Sequence, residues 1–160
     1  MKLLKYLVIV LLFTASTAWA DDVEDAHAAF DKKDYVTAVK KYRSAALKSD
    51  AVAQFNLGLM YENGQGAAQD YAEAARWYKL AAAQGNTGAQ FNLGVMYEKG
   101  RGVVQDHTRA HMWSNLAAVS GNTSAVKNRD VFAAKMTPQQ IGEAQKMARE
   151  CQARDFKKCD

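Results

Sequence analysis

Cysteine is scarce here. Cys151 and Cys159 are the two thiols in 160 residues, and neither has the neighbouring Cys or His spacing that a zinc site requires. Charge excess is small too, at a formal +4, which does not argue for a nucleic-acid partner. Beyond residue 20 no stretch approaches the roughly 20 consecutive apolar residues of a membrane-spanning helix. The composition therefore argues against a thiolate metal cluster, gives no ground for a nucleic-acid binder and leaves no helix to span a membrane beyond residue 20.

The first twenty residues form a pattern of their own. Lys2 and Lys5 flank the short apolar run 7–13, and Ala18-Trp19-Ala20 follows. This arrangement predicts a secretory signal peptide cleaved after Ala20. Asp21 then begins the mature chain, and with no cysteine there a lipid anchor is not expected. Without Lys2 and Lys5, 19 basic residues face 17 acidic ones, a net of +2. Lys32-Lys33 and Lys40-Lys41 read as a solvated helix face. A protein exported to the periplasm or secreted meets oxidising conditions, so its two cysteines are expected to pair with each other.

What the chain has in abundance is itself. Residues 53–88 and 89–124 align without a gap and are identical at 21 of 36 positions. AQFNLGLMYENGQG returns as AQFNLGVMYEKGRG, and a fainter copy precedes both: Asp34, Ala38, Tyr42, Ala45 and Ala46 stand 36 residues before Asp70, Ala74, Tyr78, Ala81 and Ala82. A fixed period of this length signals a repeat solenoid. Within each unit, Ala53, Leu57, Met60 and Tyr61 mark one apolar helix face, and Ala74, Tyr78, Ala81 and Ala82 mark another. Gly58 removes bulk where two helices approach. Each unit is thus an αα-hairpin.

The loop between the two helices, YENGQGAAQD, invites a phosphate-binding interpretation. Dinucleotide and P-loop glycines follow a strand, however, and these follow a helix. Gly64 suits a helix C-cap with positive φ, Gly66 a turn, and Asp70 the next N-cap.

The pattern Ala-x-x-x-Leu-Gly-x-x-Tyr-x-x-Gly-x-Gly, then Asp, Ala-x-x-Trp, Ala-Ala and a closing Gly-Asn resembles the Sel-1-like repeat (SLR), a relative of the tetratricopeptide repeat. The resemblance implies an all-α, right-handed αα-solenoid of about eight helices, of the exported bacterial type. It further implies an adaptor in protein complexes, non-enzymatic, needing no cofactor and binding a protein or peptide partner in the cell envelope. The organisation expected is a signal peptide (1–20), an N-terminal capping hairpin without the Gly-x-Gly loop (21–52), repeats at 53–88 and 89–124, and a C-terminal capping segment with a disulfide tail (125–160). In that last segment Arg129 and Asp130 replace the apolar Leu-Gly, as a terminal repeat needs for solubility. Thr137-Pro138-Gln139-Gln140 starts a final helix whose inward stripe is Ile141, Ala144, Ala148 and Cys151.

Three constellations could carry chemistry. Ser124 and Lys127 have the Ser-x-x-Lys spacing of penicillin-recognising enzymes; the alternative function is a β-lactamase-like or cell-wall hydrolase of the cysteine-rich SLR type. That group carries a cysteine pair in each repeat, which this chain lacks, as it lacks a Lys-Thr-Gly motif. Ser124 aligns with Gly88 at a helix start, where capping suffices. His107 and His111 sit i, i+4 but lack a third ligand, and they replace Tyr71 and Ala75 of the aligned unit, so no metal is expected. Trp77 and Trp113 occupy equivalent positions and read as core.

A binding face is expected on the first helix of each hairpin, which lines the concave surface of αα-repeats. Opposite the packing stripe lie Phe55, Asn56, Leu59 and Glu62, and one repeat on Phe91, Asn92, Val95 and Glu98. Asn56 and Asn92 are the leading candidates, with Phe55, Phe91, Glu62 and Glu98 beside them. The two phenylalanines also suit burial against the neighbouring repeat. The opposite side around Arg76 and Lys79 is the alternative face.

Overall fold

The computed structural model describes residues 22–159; the expected signal peptide and its cleavage site lie outside them. Among the described residues there are eight helices and no strand: α1 (22–31), α2 (Tyr35–Leu47), α3 (Ala51–Asn63), α4 (Tyr71–Ala82), α5 (Thr87–Lys99), α6 (His107–Val119), α7 (Thr123–Ala133) and α8 (Pro138–Ala153). From α2 to α7 each helix packs on the next, and α8 returns onto α6.

The helix starts are written twice over at a spacing of 36 residues. Asp34, Asp70 and Asp106 cap α2, α4 and α6, and Asp50, Asn86 and Asn122 cap α3, α5 and α7. Each side-chain oxygen accepts from a backbone N–H of the first turn, at 2.7 Å for Asp50 and 2.9 Å for Asn86. Such a cap contributes about 1 kcal/mol to its helix. Thr137 and Gln140 form a reciprocal capping box at α8.

Between hairpin helices the chain turns on Gly64 (φ 66°) and Gly100 (φ 63°). The amides of these glycines, and of Gln65 and Arg101 after them, donate to the carbonyls of Met60 and Met96. The backbone groups that would cradle a phosphate are thus spent on ending the helix. The second glycine of each loop locks repeats together. A Cβ at Gly66 would lie 2.1 Å from the Tyr35 carbonyl oxygen, and one at Gly102 would lie 2.1 Å from that of Tyr71. Only glycine lets the loop of one hairpin rest on the helix start of the hairpin before it.

The core is a ladder of small and large residues. Ala53, Leu57, Met60 and Tyr61 are buried on α3, as are their counterparts Ala89, Leu93, Met96 and Tyr97 on α5, and Ala74, Tyr78, Ala81 and Ala82 are buried on α4. Trp77 and Trp113 are also buried. Two glutamines join this ladder: Gln54 and Gln90, both buried, donate to the carbonyls of Ala46 and Ala82 at 3.0 and 3.4 Å. Gln84 satisfies the Gln54 oxygen at 2.8 Å. Its counterpart one repeat on is Ser120, and the Gln90 oxygen has no partner.

Candidate functional site

Between α1 and α3 the surface opens into a cavity of about 260 Å³. Phe30, Leu59 and Met60 give it an apolar floor; His27, Asn56 and Asn63 supply polar groups around it. Tyr42 closes the back, with the His27 ring edge-on to it at 5.5 Å. Burial, helped by the charge of Asp31, pushes the Tyr42 phenol up to about 12, so it stays a neutral hydrogen-bonding group at physiological pH.

Of the residues expected on this face, Asn56 lies in the cavity wall and is half-buried. Its Nδ2 donates to the Val52 carbonyl of its own helix at 2.9 Å. Asn92 is hydrogen-bonded to Tyr78. Phe55 turns toward α4 of its own hairpin and the start of α5, its ring lying 5.9 Å from that of Tyr78 and against Gly88. Phe91, equivalent in sequence, is half-buried and has Ser114 where Phe55 has Tyr78.

Both acidic candidates are engaged within the chain. Glu62 accepts from the Tyr78 hydroxyl at 2.6 Å; burial, followed by this carboxylate, raises the Tyr78 phenol far above its ordinary value. In the next repeat serine cannot reach across, and Glu98 is held by His107 Nδ1 at 2.7 Å and Lys135 Nζ at 2.5 Å. Asn63, His27 and Phe30 were not among the sequence candidates. Asn63 stands seven residues from Asn56 and therefore on the same helix face, a signal available in the sequence. His27 and Phe30 come from α1, whose segment lacks the repeat motif.

The alternative chemistries fare differently. Ser124 and Lys127 sit exposed on the first turns of α7. His107 is tied to Glu98, while His111 is buried near Arg129 and Asp130. Burial first, then the Arg129 charge, holds the His111 pKa below the ordinary 6.5. No group of three or more His, Cys, Asp or Glu side chains among the described residues is placed to hold a metal, and no described helix is long and apolar enough to cross a membrane.

At the other end of the chain Cys151 and Cys159 form a disulfide, their Cα atoms 5.0 Å apart. It folds the tail back so that Phe156 lies over Gly85 and, with Trp113 and Ala83, lines a cavity of about 390 Å³.

Stacked αα-hairpins with a capped end define a helical repeat scaffold. Residues 51–86 and 87–122 match the Sel1 repeat, each unit beginning at the first residue of α3 or α5. A Sel1 repeat protein from Oxalobacter formigenes is similar at 31% identity and a TM-score of 0.67, over 79% of this chain and 98% of that one. The protein c5321, described as a protective antigen present in uropathogenic Escherichia coli strains and displaying an SLR fold, superposes with a TM-score of 0.82 at 29% identity. That match covers 88% of this chain but 31% of c5321, so the chain spans about a third of that relative. No curated protein matches the chain at a significant level. The chain belongs to the Sel1-repeat family, whose members generally mediate protein–protein interaction.

Proposed function

We propose that the protein is an exported, non-enzymatic adaptor that holds an extended segment of another cell-envelope protein along the concave face made by α1, α3 and α5. The observation that carries this reading is the α1–α3 groove, with an apolar floor at Phe30, Leu59 and Met60 and amides at Asn56 and Asn63. An extended peptide presents backbone N–H and C=O groups that amides can pair while its side chains take the floor. The repeat fold supports binding as the activity. The apolar leader and the Cys151–Cys159 bond support export.

Photo-crosslinking tests the site. A photoreactive residue at position 63, in the full chain expressed in its host, is expected to give one envelope-protein adduct. Combining Asn56→Ala with Leu59→Ser is expected to weaken binding of the recovered partner at least tenfold, about 1.4 kcal/mol. Unchanged affinity in that variant would place binding elsewhere. Mass spectrometry of the same material reads the export step, because cleavage after Ala20 leaves Asp21 at the N-terminus.

A further inference from the structure

The two full repeats differ at 15 of 36 positions, and seven of these fall in one stretch, the interhelix loop and the helix start after it. Residues 63–73 read NGQGAAQDYAE, and residues 99–109 read KGRGVVQDHTR. The turn-forming glycines, the glutamine and the capping aspartate are kept. The first loop carries Asp70 and Glu73 with no cation, a balance of −2; the second carries Lys99, Arg101 and Arg109 against Asp106, a balance of +2. Ala67 and Ala68 become Val103 and Val104 in the same stretch. The turn does not require this change, since the first loop makes the same cap with neutral residues.

The altered residues share a surface. Lys79 of α4 reaches toward the next repeat, its Nζ 5.6 Å from the Tyr97 ring centroid, and the Arg109 guanidinium approaches the same ring at 5.9 Å. Arg101 lies 5.5 Å from the centroid of Tyr71. Lys79, Tyr97, Val103, Val104, Asp106 and Arg109 line a groove of about 500 Å³, and Val104 is 88% exposed. The lining carries two cations, Lys79 and Arg109, and one carboxylate, Asp106, which Arg109 meets at 2.5 Å, and Arg101 stands over Tyr71 on the adjoining turn.

We propose that this groove docks an acidic segment of a partner protein that also carries an apolar side chain. Carboxylates meet the cations held against Tyr97 and Tyr71, and the apolar group covers Val103 and Val104. A nucleic-acid backbone fits less well: Asp106 sits in the lining, the whole chain is only +4, and phosphates have no use for exposed valines. The surface is separate from the α1–α3 groove, and the proposal does not rest on that groove being occupied.

The repeat itself supplies substitutions compatible with the fold. In R101Q/V103A/V104A/R109E the second loop takes the residues of the first; in Q65R/A67V/A68V/E73R the first takes those of the second, beside Arg43, which lies over Tyr61 at 5.9 Å as Lys79 lies over Tyr97. The probe is a short fluorescein-labelled peptide of Glu, Asp and Leu, followed by anisotropy with the purified protein. Saturable binding is expected, weakened by added salt, at least tenfold weaker in the first variant and at a second site per chain in the reciprocal one. Equal binding of the first variant overturns the proposal. So does equal binding of a Leu→Ser peptide, or tighter binding of an oligonucleotide or of anionic vesicles than of the peptide.

Discussion

Glu98 joins three parts of the fold through one carboxylate: α5, which carries it, His107 on α6, and Lys135 beyond α7. Its side chain is 10% exposed. Burial alone would raise its pKa, but the hydrogen bonds from Lys135 and His107, with their charges, outweigh that and bring it below the ordinary 4.5. A carboxyl that is more acidic folded than unfolded stabilises the fold above its unfolded pKa, and that contribution is lost as pH falls through the folded value. Glu98→Gln is therefore expected to cost about 1–2 kcal/mol near pH 7. In urea unfolding, the gap to wild type should narrow as pH drops below about 4.5. A gap that ignores pH would mean that the charge contributes nothing. Glu62 and Glu98 occupy the same helical angle, and the sequence legibly set them on one face. Their partners were not legible, because Tyr78 and Lys135 arrive from other elements and the exchange of Tyr78 for Ser114 alters the hydrogen bonding of the second junction.

At the scale of elements, the helices could be read almost residue by residue, since caps, glycines and apolar stripes each recur after 36 positions. Gln54 and Gln90 escaped that reading because a glutamine in an apolar stripe declares itself only when its carbonyl partner is known. The tail escaped it too. The two thiols suggested their bond, but nothing periodic follows Ala153 to say that Phe156 would settle over Gly85. Asp155, Phe156 and Lys158 all hold positive φ, a conformation that disfavours each non-glycine residue by about 1–2 kcal/mol. Closing so short a loop offsets this by roughly 2.5 kcal/mol in the chain-entropy model. Reduction by a dithiol is expected to release residues 154–159 to fast amide exchange and to uncover Trp113, with α3 to α6 still protected. Simultaneous loss of protection in α3 to α6 would make the bond a global support and not a local one.

Over the whole molecule, stability is a sum of hairpins and the joints between them. The joints are alike: Gly66 rests on the Tyr35 carbonyl as Gly102 rests on that of Tyr71, and the same Gly-Asn-Thr leads into α5 and α7. A further copy of residues 87–122 placed after Asn122 would set its glycine on the His107 carbonyl, the next position in the series. The enlarged chain is expected to be monomeric, with helical circular dichroism increased in proportion and a melting temperature no lower than wild type. A lower melting temperature would mean that the terminal hairpins fit only their present neighbours. Nothing in the chemistry of the stack therefore sets the number of its units. Two adjoining stretches of coding sequence that are so similar invite misaligned recombination, and its longer and shorter products would inherit working joints. Array length is the trait in which close relatives of this protein should first diverge.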